Sequence, residues 1–115
     1  MIIRRGEVYL AALDPVVGRK IAKTRPVVVV SNDLNNEFSG TVTVLPITSG
    51  ILEKIYPFEV LLPKGTANLP KDSKVKANQI RTLDRSRLVK RIGELPTEIM
   101  AGIEKAMMLH LSLEC

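Results

Sequence analysis

The sequence predicts a mainly β protein, a β-rich α+β chain in which a small closed or half-closed barrel carries one C-terminal helix. Three observations point there. Short apolar, β-branched runs recur along most of the chain. Proline and glycine punctuate the intervals between them. Only the last segment changes to helical spacing. Many short strands joined by short turns are the pattern of a small barrel.

Glu7 to Leu13 reads as the first strand. Pro26 to Ser31 is a continuous β-branched run, as expected of a strand buried on both faces. Thr41 to Thr48 is rich in Thr, Val and Ile, another strand. Phe58 to Leu62 and Ser73 to Leu83 follow, with turns marked by Pro15/Gly18, Pro57, Pro63/Gly65 and Pro70. Pro96 suits a first helical turn. Ile99, Met100, Ile103, Ala106, Met107, His110 and Leu111 then recur at helical spacing, and Met108, Leu109 and Leu113 widen the stripe. A helix lying on one barrel needs an apolar face of only about 100°. The excess predicts burial against a second copy, where methionines adapt to irregular gaps.

A length of 115 residues predicts one domain, 1–115, with a single core. Seventeen Lys and Arg oppose 12 Asp and Glu, for a net charge of +5 and an isoelectric point near 9.6. That balance favours an anionic partner, nucleic acid before acidic polypeptide. The one cysteine, Cys115, is terminal, which excludes an internal disulfide and a cysteine-rich metal site and fits a reducing cytoplasm. No apolar run approaches the ~20 residues of a membrane span.

The most informative stretch is Lys23-Thr24-Arg25-Pro26-Val27-Val28-Val29-Val30. It places a guanidinium on a Thr-Arg corner at the mouth of a dry strand, where a cation needs an anion. Downstream, Pro46-Ile47-Thr48-Ser49-Gly50 ends a second apolar strand in two hydroxyls and a glycine turn. A charged fork beside hydroxyls suits a phosphodiester. The alternative is that Arg25 pairs with a carboxylate such as Glu7 or Asp14 and only closes the barrel.

Absences narrow the chemistry. His110 is the only histidine and sits in an apolar helix, so one chain holds no two-histidine acid/base pair, and a packing or interface role is expected for it. No metal-binding motif, clustered carboxylates or Gly-rich phosphate loop occurs, so no metal or cofactor is expected. Nothing obvious lowers the pKa of a terminal thiol.

Several segments together carry a resemblance. Arg5-Gly6-Glu7-Val8-Tyr9-Leu10, Leu13-Asp14-Pro15, Lys23 to Val29, Pro46-Ile47-Thr48-Ser49, Asp72-Ser73 and Gln79-Ile80-Arg81-Thr82-Leu83-Asp84 follow one another in order. In this the chain resembles the MazF/PemK-type toxins from Arg5 to about the end of the last helix. The resemblance implies an SH3-like β-barrel with a C-terminal helix. It also implies a homodimeric, sequence-specific, metal-independent endoribonuclease toxin that inhibits translation and is neutralised by a cognate antitoxin with an acidic tail. Arg25 and Thr48 match the positions that carry catalysis in that family.

The chemistry is consistent with those residues. RNA supplies its own nucleophile, the 2′-hydroxyl beside the phosphate. The enzyme must align the backbone and stabilise developing charge. The Arg25 fork can hold two non-bridging oxygens and Thr48 can donate one more hydrogen bond. The implied products are a 2′,3′-cyclic phosphate and a 5′-hydroxyl. The chain departs from some members at Gly18-Arg19-Lys20-Ile21-Ala22, where they carry a histidine, and at Asn78, where they carry an aspartate. A carboxylate base is thus unavailable at residue 78.

The loops Pro15 to Thr24 and Ser49 to Tyr56, and the face carrying Lys74, Lys76 and Asn78, are expected to touch RNA, with Arg19, Lys20 and Lys54 setting affinity through phosphates. Asn78 and Gln79 have amides that can read a base edge, Tyr56 or Phe58 can stack on an unpaired base, and Ser49 lies in the adjoining loop. Gln79 interrupts its strand and is either a satisfied core amide or a reader. The basic run Arg81, Arg85, Arg87, Lys90 and Arg91 is expected to be a solvated or structural face. Two other functions bear comparison. A topoisomerase poison of the same fold acts through a Trp-Gly-Ile helix end, but this chain has no Trp and ends Leu111-Ser112-Leu113-Glu114-Cys115. A non-catalytic barrel for single strands would want more stacking aromatics than two Tyr and two Phe.

Overall fold

The structure, a computed structural model, describes residues 1–13 and 23–114. Arg19, Lys20, the turn at Pro15/Gly18 and Cys115 therefore lie outside the described residues.

Seven antiparallel strands form one sheet: β1 (Glu7–Ala12), β2 (Thr24–Val29), β3 (Thr41–Thr48), β4 (Glu59–Leu62), β5 (Ser73–Lys76), β6 (Arg81–Asp84) and β7 (Leu88–Glu94). The helices are α1 (Asp33–Phe38) and α2 (Thr97–Leu111). The path runs β4-β5-β3-β2-β1-β7, with β6 also paired to β3. The sheet does not close on itself, yet it is the mainly β architecture with a C-terminal helix that the sequence predicts.

Alternation along β2 explains its unbroken valine run. Val27 and Val29 enter one core with Tyr9, Ala11, Val42 and Val44, whereas Val28 and Val30 enter a second with Val8, Leu45, Ile47 and the α2 residues Met100, Ile103 and Ala106. Both faces of the strand are dry, so both phases must be apolar. Arg5 clamps α2 to the sheet, with Nε donating to the Val30 carbonyl at 3.0 Å and the guanidinium pairing with Glu104 at 3.1 Å.

The stretch expected as one strand from Ser73 to Leu83 is two, separated by a single 3₁₀ turn over Ala77–Gln79. β6 pairs with the first half of β3 through Thr41 to Val44, and β5 pairs with its end through Ile47 and Thr48. The gap falls at Leu45 and Pro46, and a proline has no N–H to continue a ladder. The Ala77 N–H turns aside to the Phe58 carbonyl at 3.0 Å.

Candidate RNA-binding groove and catalytic pair

Register assembles the site. In the β2/β3 ladder Val27 faces Pro46, Val28 faces Leu45 and Val29 faces Val44. Continued two residues further, the same register sets Arg25 across from Thr48. Next along, Thr48 pairs with Lys74 of β5, Lys74 with Leu61 of β4, and Lys76 with Glu59. Cross-strand partners share a face. Arg25, Thr48, Lys74, Lys76 and Glu59 therefore lie on one face of the sheet, past the point where its apolar core stops. They line a groove of about 980 Å³ together with Ser49, Tyr56, Phe58, Asn78, Gln79 and Arg81.

Arg25 is exposed, and among the described residues no carboxylate pairs with it. Glu7, one of the two partners weighed for it, is occupied elsewhere. Its carboxylate accepts from Arg91 Nε at 2.5 Å, the Arg4 N–H at 2.6 Å and the Tyr9 hydroxyl at 3.0 Å. Burial opposes its charge, but these donors outweigh burial and hold its pKa below the ordinary value. Asp14 lies outside the described residues. Thr48 is half-buried, and its Oγ1 accepts from the Gly50 N–H at 3.2 Å, which leaves the hydroxyl proton free to donate.

The aromatic part of the groove is a column. The Tyr56 and Phe58 rings stack with centroids 5.2 Å apart and planes within 7°. Lys54 Nζ lies 4.7 Å over the Tyr56 ring. Gln79 is exposed in the groove and is not a core amide. Among the described residues Asn78 Oδ1 is buried without a hydrogen-bond partner, an acceptor that a bound donor would satisfy.

Two assignments change. Lys74, on the face expected to touch RNA, is only 3% exposed and its Nζ is held by Glu59 Oε1 at 3.0 Å. Lys76 remains at the groove, with Nζ 3.3 Å from Glu59 Oε2 and its side chain 25% exposed. Of the basic run assigned to a structural face, Arg81 lines the groove while its guanidinium donates to the Leu13 carbonyl at 3.1 Å. The other three arginines are structural: Arg85 donates to the Met1 and Asn36 carbonyls, Arg87 to Ala12 and Arg91 to Glu7. Glu59, Lys71, Ser73 and Arg81 are among the groove residues that sequence reasoning missed. The period-two lysines Lys74 and Lys76 were the available signal for a buried carboxylate opposite them.

Among the described residues no three His, Cys, Asp or Glu side chains gather where a metal could bind. Fold and groove together define a small β protein in which a guanidinium without an ion pair among the described residues lies across from a hydroxyl, beside a stacked ring pair. The chain belongs to the PemK-like, MazF-like toxins of type II toxin–antitoxin systems, whose family model matches residues 4–111. It is 42% identical to endoribonuclease MazF9 of Mycobacterium tuberculosis, across 97% of this chain and 98% of that protein. Identity to endoribonuclease EndoA of Bacillus subtilis is 39%, across 98% and 97%. A mycobacterial endoribonuclease solved in complex with its cognate antitoxin superposes with a TM-score of 0.80 at 25% identity, covering 98% of both chains.

Proposed function

We propose that this protein is the endoribonuclease toxin of a toxin–antitoxin pair, acting in the cytoplasm on single-stranded RNA at a short sequence motif. The observation that carries the reading is Arg25 across from Thr48 in the groove, with no carboxylate among the described residues neutralising the guanidinium. A scissile phosphate there meets the Arg25 fork through its non-bridging oxygens and a hydrogen bond from Thr48. The neighbouring 2′-hydroxyl attacks phosphorus and gives up its proton to a water in the groove as the P–O2′ bond forms. The departing 5′-oxygen gains a proton, from Arg25 or a water beside it, as the P–O5′ bond breaks. The guanidinium stabilises the negative charge that develops on the phosphate oxygens, so the reaction needs no metal. Bases on either side stack on Tyr56 and Phe58 and meet Asn78 and Gln79, while Arg19, Lys20, Lys54, Lys76 and Ser49 contact the strand.

The same groove takes the antitoxin. An acidic, disordered tail offers carboxylates to forks that otherwise hold phosphates, so tail and RNA compete. The test of the chemistry is digestion of a long RNA in excess chelator with mapping of both new ends. Cleavage should persist and leave cyclic phosphate and 5′-hydroxyl ends. Loss of cutting on chelation, or a 3′-hydroxyl product, contradicts the mechanism.

A further inference from the structure

Glu59 is an unusual residue to find on the floor of an RNA groove, because a carboxylate repels phosphate. It is buried, its side chain 1% exposed, and its partners among the described residues, Lys74, Lys76 and Tyr56, all line the groove. Oε1 accepts from Lys74 Nζ at 3.0 Å and from the backbone N–H of Tyr56 at 3.0 Å. Oε2 pairs with Lys76 at 3.3 Å. Lys74 Nζ in turn donates to the Lys54 carbonyl at 3.4 Å. The backbone of the 54–59 segment is thus tied to β5 at both Lys54 and Tyr56, and both ties run through one buried ion pair. The same segment carries the Lys54, Tyr56 and Phe58 column. Lys74 is also the β5 partner of Thr48. The pair therefore joins the stacking column to the strand position of the proposed catalytic hydroxyl.

We infer that Glu59, through Lys74, is a positioning residue: it fixes the Tyr56–Phe58 ring pair as a preformed base-stacking surface in register with Thr48. This deepens the proposed RNA reading and rests on it. The ion pair is a costly way to fill this space. A buried pair is commonly replaceable by apolar residues of similar volume without loss of stability, whereas removing one partner strands a buried charge. What an apolar pair cannot supply is an acceptor for the Tyr56 N–H and a donor for the Lys54 carbonyl. The two lysines on one carboxylate also leave this end of the groove net positive.

The test is the double variant Glu59→Leu/Lys74→Met, which removes both ties, strands no buried charge and leaves net charge unchanged. The probe is a short fluorescent single strand with 2′-O-methyl sugars, which the proposed chemistry cannot cut, copied from a site that the wild type cleaves. The double variant should keep its melting temperature, lose the NMR contacts between the Tyr56 and Phe58 rings, and bind the probe about tenfold more weakly, within the range contributed by one stacked base. KM should rise by a similar factor while kcat stays within about threefold, the signature of lost uniform binding. Adding Tyr56→Ala should weaken binding little further, because residues acting as one unit are not additive. A folded double variant with wild-type affinity overturns the inference, as does weakened binding with the ring contacts intact. Should the double variant fail to fold, Lys74→Met alone, which cuts the Lys54 tie while Glu59 keeps Lys76 and the Tyr56 N–H, should show the same losses in smaller measure, and wild-type affinity with wild-type ring contacts overturns the inference. A wild type that cuts no RNA would defeat the proposed function, whereas the ring contacts of the free protein report on Glu59 regardless.

Discussion

Burial and register separate charged residues that look alike in the sequence. Arg25 and Arg91 are both exposed, but Arg91 is committed to Glu7 and Arg25 faces the groove without an ion pair among the described residues. Because Arg25 holds no such pair, Arg25→Ala should leave the fold intact, and Arg25→Lys should also cleave poorly, since a point charge does not replace a planar fork. Measured melting temperatures beside cleavage rates check both. The buried carboxylates set a pH dependence. For Glu59 burial opposes the charge, but the Tyr56 N–H, Lys74 and Lys76 outweigh it, so its pKa, like that of Glu7, lies below the ordinary 4.5. A carboxyl with a lowered folded pKa stabilises the fold above its unfolded value, and that stability is lost as pH falls through the folded one. Tyr9 sets the alkaline limb. Burial, then the neighbouring Glu7 charge, raise its pKa from 10.0 to about 12, so its contribution is full below 10.0 and lost as pH rises towards 12. Denaturant midpoints across pH should therefore form a plateau that falls on both sides. A flat acid limb contradicts the Glu7 and Glu59 pairings.

At the scale of elements, legibility followed periodicity. Thr41–Thr48 was readable to its ends because β-branched residues fill both phases, and α2 because its stripe repeats for four turns. β7 was not, because Val89, Lys90 and Arg91 face solvent on the last strand of the path and look like a charge run. α1 escaped because six residues give too little periodicity; its mark is local, Asn32 capping the Asn35 N–H. The break between β5 and β6 depends on which residues of β3 each strand meets, a long-range fact. The site shows the same division. Arg25 and Thr48 were singled out by local chemistry together with the family resemblance, whereas their opposition and the Glu59 hub require the ladders. Two substitutions probe the elements. Ile103→Ala, at a fully buried position of α2, should cost about 2–5 kcal/mol of stability. Gly93→Ala in β7 should cost about 1–3 kcal/mol, because its Cβ would stand 2.8 Å from the Ala67 carbonyl oxygen. Chemical denaturation measures both, and a neutral Gly93→Ala would contradict the close approach.

The whole molecule leaves more apolar surface on α2 than its own sheet covers. Met100, Ile103 and Ala106 are buried, but Leu109 is 57% and Leu113 59% exposed beyond them. A homodimer that includes the last helix and strand edges would cover this surface, and sedimentation at micromolar concentration should show a dimer; a clean monomer contradicts it. A chain of net charge +5 should bind its acidic tail and its RNA more weakly as salt rises, RNA the more steeply through counterion release. A ternary complex holding both at full affinity would rule out a shared groove. The central claim is that Arg25 stabilises the charge developing on a phosphate held beside Thr48. Its most direct test is the single-turnover cleavage rate of Arg25→Ala against wild type, on one RNA with one mapped site. The predicted result is a loss of about 10²–10³-fold in rate with the fold unchanged. A near wild-type rate yielding the same ends would contradict it.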